Sequence, residues 1–173
     1  MDIKLGNIVY LLNGDGSKKP VKVMGVKMRY RMDGSLAKTI TTYVDEKVLT
    51  DIPMSKIEGI ALTDENLMKI KALKSEQDSA KNKYGNVYIV ESDIDTCIKI
   101  TRDWRKEPSY HLGIEYTDSP RMCDENQIYN FAYSIKYIHE LQNIICAIYR
   151  ADDKKDDGYE FVYMLNFDNL LTK

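Results

Sequence analysis

The stretch Tyr137-Ile138-His139-Glu140-Leu141-Gln142-Asn143 lies at the centre of the strongest periodic pattern in this chain. Apolar residues recur there at helical spacing, at Ile135, Ile138, Leu141, Ile145 and Ile148. This spacing places them on one face and predicts a helix over residues 135–150. Ser134 precedes the pattern and is the expected N-cap residue. Such a helix must bury its apolar face against another element.

Short apolar runs separated by turn residues fill the first sixty positions. The runs cover residues 8–12, 21–31, 39–44 and 47–52, and glycine-containing turns fall at residues 13–16 and 33–34. Apolar and polar residues alternate along the second run, as in a half-buried strand. Several short strands with glycine at the corners indicate an SH3-like small β-barrel over residues 1–60.

A helix and a linker are expected next, over residues 61–83. Thr63 is a suitable N-cap, and Asp64 and Glu65 follow it, where the helix dipole favours negative charge. Residues 75–83 are polar and of low bulk, which is typical of a linker.

Residues 84–173 are expected to form an α+β domain. Alternating runs at 87–90, 94–101 and 110–116 predict an antiparallel sheet with one packed face, and another alternation at 161–167 predicts a last strand. Residues 128–133 fit either a strand or the first turn of the long C-terminal helix. That helix, residues 135–150, is expected to cover this sheet, so the fold class is α+β.

Composition bounds the function classes. The chain has 173 residues, 43% hydrophobic and 30% charged, and a net charge of −2, which excludes a strong overall attraction to nucleic acid or anionic lipid. The cysteines number three and are widely spaced, which suits neither a disulfide framework nor a metal site. Apolar runs are too short for a membrane span, so a reducing cytoplasm without membrane association is expected.

Three segments resemble small accessory proteins of phages, prophages and conjugative elements of Bacteroides-like bacteria. They are residues 4–9 (KLGNIV), residues 57–67 (IEGIALTDENL) and residues 138–143 (IHELQN). Ala61 stands where that family usually has proline, and the pattern departs after Asn143. The resemblance implies a gene of a mobile element acting in a bacterial cell. No activity, cofactor or catalytic residue comes with it.

No catalytic set can be assembled from the residues themselves. His139-Glu140 begins like a zinc metalloprotease helix, but Asn143 stands where the second histidine is needed. His139 and Cys146 are seven residues apart on one helix, about 10 Å of rise, which is too far for direct proton transfer. His139 and Gln142 are therefore expected to satisfy backbone groups of a neighbouring strand, and Cys146 to pack as a small apolar residue. Neither a cofactor nor a metal is expected.

One basic patch is a candidate binding site. Six cations fall between residues 18 and 31 with no acid among them: Lys18, Lys19, Lys22, Lys27, Arg29 and Arg31. In a strand, the last three form a row about 6.6 Å apart, close to the spacing of successive phosphates. Tyr30 and Tyr43 could stack on bases, although Tyr30 lies on the other strand face. Cations of this kind also protect an exposed edge strand from pairing with another chain.

These observations favour non-catalytic binding. The leading expectation is a mobile-element accessory protein that engages a host or phage protein or ribonucleoprotein. Its most specific form is an inhibitor of a bacterial antiviral defence system, such as an anti-CRISPR protein. The alternative is a nucleic-acid-binding module that uses the basic strand.

Overall fold

The computed structural model describes residues 1–82, 85–92, 96–103, 109–116, 128–152 and 165–172. They form two five-stranded antiparallel sheets with few helices, which confirms the predicted α+β class. The chain divides into two compact units. The first contains residues 1–61, 137–157 and 170–173, and the second contains residues 62–136 and 158–169.

The sheet of the first unit is built from four predicted runs and one further short strand. The strands are β1 (Ile8–Leu12), β2 (Lys18–Tyr30), β3 (Leu36–Val44), β4 (Lys47–Pro53) and β5 (Ile57–Glu58). A 3-10 helix, Met54–Lys56, connects β4 to β5. The spatial order is β4-β3-β2-β1-β5.

Strand β2 is shared between two partners. Its first half pairs with β1, from Ile8 opposite Lys22 to Leu12 opposite Lys18, and its second half pairs with β3. The register shifts between Val23 and Gly25, and such a bulge bends the strand. The predicted closed barrel is not shown, because the outer strands β4 and β5 stand at opposite ends of the described sheet.

The core of this sheet follows the alternation of its strands. Val9 and Leu11 of β1 and Val21 and Val23 of β2 point to one side and are buried. They join core residues from the N-terminal segment and from strands β3 to β5: Ile3, Ile40, Ile52 and Ile57. Burying an aliphatic side chain of this size contributes about 1.5–3 kcal/mol.

The C-terminal helix differs from its prediction in both its start and its partner. Helix α3 spans Ile138–Asp152. Ser134 is not its cap, because residues 128–135 form a strand, which also settles the ambiguity at residues 128–133. The backbone N–H of Tyr137 donates to Glu140 Oε2 at 3.1 Å, the arrangement by which a glutamate caps a helix N-terminus.

Helix α3 belongs to the first unit and contacts β1, so the prediction that it covers the C-terminal sheet is wrong. Its buried residues include Leu141 and Ile145 on the apolar face and also Gln142. The Gln142 amide bonds to the backbone of β1, which fixes the helix on this strand. The sequence showed that a face must be buried but not which sheet buries it.

The second sheet confirms the three alternating runs. Its strands are β6 (Leu73–Lys74), β7 (Val87–Ser92), β8 (Thr96–Asp103), β9 (Ser109–Tyr116) and β10 (Ile128–Ile135), in the order β10-β9-β8-β7-β6. Buried residues such as Ile98, Ile100 and Leu112 form its packed face.

Two short helices lie on either side of β6 in the chain. Helix α1 is Asp64–Lys69, and the Thr63 hydroxyl accepts a bond from Asn66 N–H at 3.1 Å, which confirms the predicted cap. Helix α2, Glu76–Lys81, lies where a linker was expected. Ser75 caps it, and Glu76 and Asp78 stand in its first turn. This helix has no buried residue, so its cap and the acids in its first turn stabilise it rather than an apolar face.

The end of the chain is only partly described. Residues 161–164 of the predicted last strand lie outside the described residues, and Phe167 stands in a 3-10 helix, Phe167–Leu170. None of the helices in the described ranges is long and apolar enough to cross a bilayer.

Candidate functional site

The predicted basic patch is largely neutralised by acids from other strands. Lys18 Nζ lies 2.6 Å from Glu58 Oε1, and Arg29 forms an ion pair with Asp51 at 3.0 Å. Lys19 pairs with Asp45, and Lys22 is also engaged with another group. Exposed pairs of this kind contribute about 0–1 kcal/mol each, so their main effect is to lower the local positive charge.

Two cations of the patch stay open to solvent. Lys27 and Arg31 are exposed, and in the part of the chain that the structure describes neither has an acidic partner. Lys27 pairs in register with Thr39 and Arg29 with Ala37, so these two cations share one face of the strand, as predicted. The structure therefore shows the row for Lys27 and Arg29, places Arg31 just after the end of β2, and reduces the free charge of the patch.

The opposite face of the same hairpin is apolar and exposed. Val26 pairs with Ile40, Met28 with Lys38 and Tyr30 with Leu36, which places all of these positions on the core side of the sheet. Ile40 is buried, whereas the exposed fraction rises to 55% at Met28 and 82% at Tyr30. The core face thus continues past the core, and the hairpin tip (residues 27–38) presents it to solvent.

The turn of the hairpin tip adds to this surface. Met32 is fully exposed and Leu36 is 53% exposed. The turn itself is ordered by hydrogen bonds, because Arg31 N–H donates to Ser35 O at 2.8 Å and Ser35 N–H to Asp33 Oδ1 at 2.8 Å. An exposed apolar surface on an ordered turn is typical of an interaction site. This exposed surface was not predicted, because the alternation of apolar residues indicated a packed face. The apolar residues on both sides of the turn were the signal that could have revealed it.

A second exposed apolar group lies on the other face of the sheet. Tyr43 pairs with Val48 across β3 and β4, and their exposed fractions are 55% and 63%. Met24, in the bulge of β2, is also exposed. The stacking role predicted for Tyr43 stays a prediction, and its side chain is exposed.

Residues 4–9 and residues 138–143 meet within the first unit. Asn7 Nδ2 donates to Asn143 Oδ1 at 3.1 Å, and Ile8 N–H donates to Gln142 Oε1 at 2.9 Å. Gln142 Nε2 also reaches Gly6 O at 3.4 Å. We call Asn7, Gln142 and Asn143 the amide seam. It confirms that Gln142 satisfies a backbone group of a neighbouring strand, and its role is to fix α3 to β1.

His139 departs from its prediction. Its side chain is completely buried, yet neither ring nitrogen has a hydrogen-bond partner in the described part of the molecule. Its ring stacks on Tyr137, with centroids 5.5 Å apart. Gly59 leaves room for both rings, because a Cβ there would lie 2.6 Å from Tyr137 Cδ1 and 3.1 Å from His139 Cε1. Cys146 is exposed, so its expected packing role is also wrong.

The second unit contains a compact polar cluster around Asp64. The hydroxyl of Tyr110 donates to Asp64 Oδ1 at 2.6 Å, while Asp64 Oδ2 lies 3.0 Å from Arg102 NH1 and accepts from Asn86 at 3.1 Å. The Arg102 guanidinium also lies 5.9 Å from the Tyr110 ring centroid. These bonds join the first turn of α1 to β8 and β9.

The charges of this cluster suit structure rather than proton transfer. Burial opposes the charged form of Asp64, but the hydrogen bond from Tyr110 and the charge of Arg102 outweigh it and lower the pKa of Asp64. Burial, followed by the bond to Asp64, raises the pKa of Tyr110. Near neutral pH Asp64 is therefore ionised and Tyr110 protonated, so neither group is poised to exchange a proton.

A pocket of about 380 Å³ opens on the first unit, within the range of small-ligand pockets. It is lined by the end of β1, the turn after it, β4 and the 3-10 helix, including Leu11, Leu49, Ile52, Asp51 and Lys56. Asp51 adopts a left-handed backbone with φ 58°, and Arg29 already holds its carboxylate.

Neither a metal site nor a relative adds to this description. Among the described residues, no group of three or more His, Cys, Asp and Glu side chains could hold a metal ion. Comparison with known proteins finds no matching family model, curated protein or solved structure.

Proposed function

We propose that this protein is a non-catalytic binding protein that engages another protein through the hairpin tip. The observation that supports this most is the exposed continuation of the core face at Met28, Tyr30 and Leu36. Burying a tyrosine and two aliphatic side chains against a partner would supply a central apolar anchor.

The charge of the hairpin tip favours an acidic partner. Residues 27–38 carry four cations against the single acid Asp33. Asp51 pairs with Arg29 and Asp2 lies 3.8 Å from Lys38, which leaves Lys27 and Arg31 without an acidic partner in the described residues. Cations beside an apolar anchor speed association with an acidic surface and set the orientation of docking. The partner that fits is a protein surface with an apolar groove and an acidic rim.

The biological setting follows from the resemblance of residues 4–9, 57–67 and 138–143 to phage and mobile-element accessory proteins. We propose that the protein acts in the cytoplasm of a bacterial cell and binds a component of the host or phage. Inhibition of an antiviral defence system, such as an anti-CRISPR activity, is the most specific form of this proposal.

The finer fold assignment is also a proposal. Sharing of the bent strand β2 between two partners, and a 3-10 helix between β4 and β5, support an SH3-like arrangement of the first sheet.

The test compares partner capture by matched variants. Tagged wild-type protein, Met28→Ser and Met68→Ser are used to isolate bound proteins and nucleic acid from lysates of host bacteria, with quantitative mass spectrometry. Met28 and Met68 are 55% and 60% exposed, but Met68 lies on α1 of the second unit, so it controls for loss of an exposed methionine. We expect Met28→Ser to lose at least tenfold of the specific partner and Met68→Ser to keep it.

Protection of a challenged phage gives the functional readout. Expression of the wild-type protein is expected to raise plaque formation on a defended host, and Met28→Ser is expected not to. Absence of any specific partner together with absence of protection would refute the proposal.

The second candidate is nucleic-acid binding, favoured by the open cations Lys27 and Arg31 and the exposed Tyr43. It predicts affinity for single-stranded DNA that falls steeply with salt. Lys27→Glu and Arg31→Glu are expected to weaken binding and to reduce the slope of log K against log salt by about 0.7 each for a single strand. Lys18→Glu, which replaces an ion-paired lysine, serves as the control.

A further inference from the structure

His139 combines complete burial with two unused hydrogen-bonding atoms. Its exposed fraction is 0%, and both ring nitrogens lack a hydrogen-bond partner among the described residues. Buried polar atoms are normally paired, because an unpaired one costs about 1–3 kcal/mol. The residue is thus held in place by its surroundings and not by its own polar contacts.

Tyr137 and Gly59 pack closely around the His139 ring and leave it little space to move. Tyr137 stacks on one face at an interplanar angle of 17°. Gly59 approaches the ring edge so closely that a Cβ would lie 3.1 Å from His139 Cε1. A protonated imidazole carries two N–H donors and needs two acceptors or water. Neither nitrogen has an acceptor in the described part of this site.

Charged groups around His139 partly oppose one another. Glu140 on α3 and Asp2 on the N-terminal segment favour the protonated ring, whereas the α-amino group of Met1 opposes it. On β5, Glu58 is already paired with Lys18, and on the N-terminal segment Lys4 lies 3.7 Å from Asp2. Burial exceeds these charges, so the pKa of His139 is lowered from its ordinary value of 6.5.

We propose that protonation of His139 opens the contacts of α3 with β1 and with the segment that follows β5, giving the first unit a second, acid-favoured conformation. Two bonds mark the closed state: Ile138 N–H donates to Ile60 O at 2.9 Å, and Ile8 N–H donates to Gln142 Oε1 at 2.9 Å. Solvent reaches His139 when these bonds open, and the charged ring then gains water as a partner. The device biases a local equilibrium through the charge of one side chain.

The opening is local because the sheet has a core of its own. The buried cluster of the first sheet runs from Ile3 to Ile57 and contains no residue of α3. The sheet therefore retains its apolar packing when the first turns of the helix detach. Opening exposes Ile8, Ile138 and Leu141, all of which are buried in the closed state.

The sign follows from linkage. The open state has an ordinary histidine, and the closed state has one of lowered pKa, so the open state binds more protons. The equilibrium constant for opening thus rises as pH falls below about 6.5, at most tenfold per pH unit for one proton. The rise ends once pH passes the pKa of the closed state.

Amide hydrogen exchange of the full chain, followed by NMR between pH 7.5 and pH 4.5, tests this. After correction for intrinsic exchange, protection of Ile8 and Ile138 is expected to fall by several-fold per pH unit below pH 6.5. Ile40, in β3, is expected to keep its protection. His139→Phe, which keeps an aromatic ring on Tyr137 but has no nitrogen, is expected to abolish the fall.

Two further variants keep the outcome decisive. His139→Gln removes the titration without the bulk of phenylalanine, so a flat profile there replaces the Phe result if that variant folds poorly. His111→Gln changes the only other histidine of the chain and is expected to leave the wild-type profile unchanged. A fall that persists without His139, a flat wild-type profile, or parallel loss of protection at Ile40 would each overturn the proposal.

Discussion

Replacement of Gly59 by alanine tests the close packing that holds α3 to the first unit. A Cβ at this position would lie 2.6 Å from Tyr137 Cδ1 and 2.8 Å from Tyr137 Cγ. Ordinary contact begins at 3.4 Å, so the shorter distance falls 0.8 Å below it. The same Cβ would lie 3.1 Å from His139 Cε1, and the His139 ring stacks on Tyr137, so both rings would have to shift.

Two opposing effects set the expected magnitude. Overpacking of this kind costs about 1–3 kcal/mol. Replacing glycine by alanine also restricts the unfolded chain, which returns about 0.4–1 kcal/mol. We expect a net loss of roughly 1–2 kcal/mol in the free energy of unfolding. Urea denaturation followed by circular dichroism measures it as a lower midpoint with an unchanged m value.

Gly14→Ala is the matched control. Its Cβ meets no atom within 4 Å and its φ is not positive, so this variant keeps the entropic gain without the clash. We expect it to be as stable as the wild type or slightly more stable. A double variant with Tyr137→Ala is expected to be less destabilised than the sum of its single changes, because removing the ring removes the clash. Equal stability of Gly59→Ala and Gly14→Ala would refute the packing argument.

Three further predictions concern single side chains. Asp64→Asn is expected to cost about 1–3 kcal/mol at pH 7, because it weakens the charged bond to Tyr110. Since the pKa of Asp64 is lowered, its contribution to stability is present above the ordinary value of 3.8 and is lost as pH falls through the folded pKa. Urea denaturation should therefore show a stability difference between wild type and variant at pH 7 that becomes smaller at pH 2. Gln142→Leu leaves the Ile8 N–H without its acceptor and is expected to cost about 1–3 kcal/mol, with faster hydrogen exchange at Ile8 as the measured sign. Tyr30→Ser, at an 82% exposed position, is expected to change stability by less than about 0.5 kcal/mol while lowering capture of the specific partner at least tenfold in the lysate assay.

Local pattern was sufficient for most elements but not for their partners. Strands alternate side chains, so the runs at residues 8–12 and 110–116 could be predicted from the sequence. Thr63 could be predicted as a cap because the Asn66 N–H that donates to it and the acids Asp64 and Glu65 follow it closely in sequence. The partner of helix α3 could not be predicted from its apolar stripe, because the stripe shows only that one face is buried. The bonds of the amide seam that attach the helix to β1 join residues 134 or more positions apart.

The candidate site was predictable to a smaller degree. The shared face of Lys27 and Arg29 could be predicted because one strand contains both residues; Arg31 follows the end of that strand. The neutralisation of Arg29 could not, because Asp51 comes from β4 and reaches Arg29 only in the folded sheet. Exposure at Tyr30 was hidden for a related reason: alternation fixes which face a residue lies on but not where the core beneath that face ends.

Contacts within the first unit join residues 4–9 and 57–61 to residues 138–143. Asn7 and Ile8 bond to the side chains of Asn143 and Gln142, and Gly59 makes room for the ring of His139. These contacts use polar atoms of the amide seam internally. The function that we propose therefore places recognition on another surface. The hairpin tip is that surface, because it lies outside these three segments and its Met28 and Tyr30 side chains are exposed.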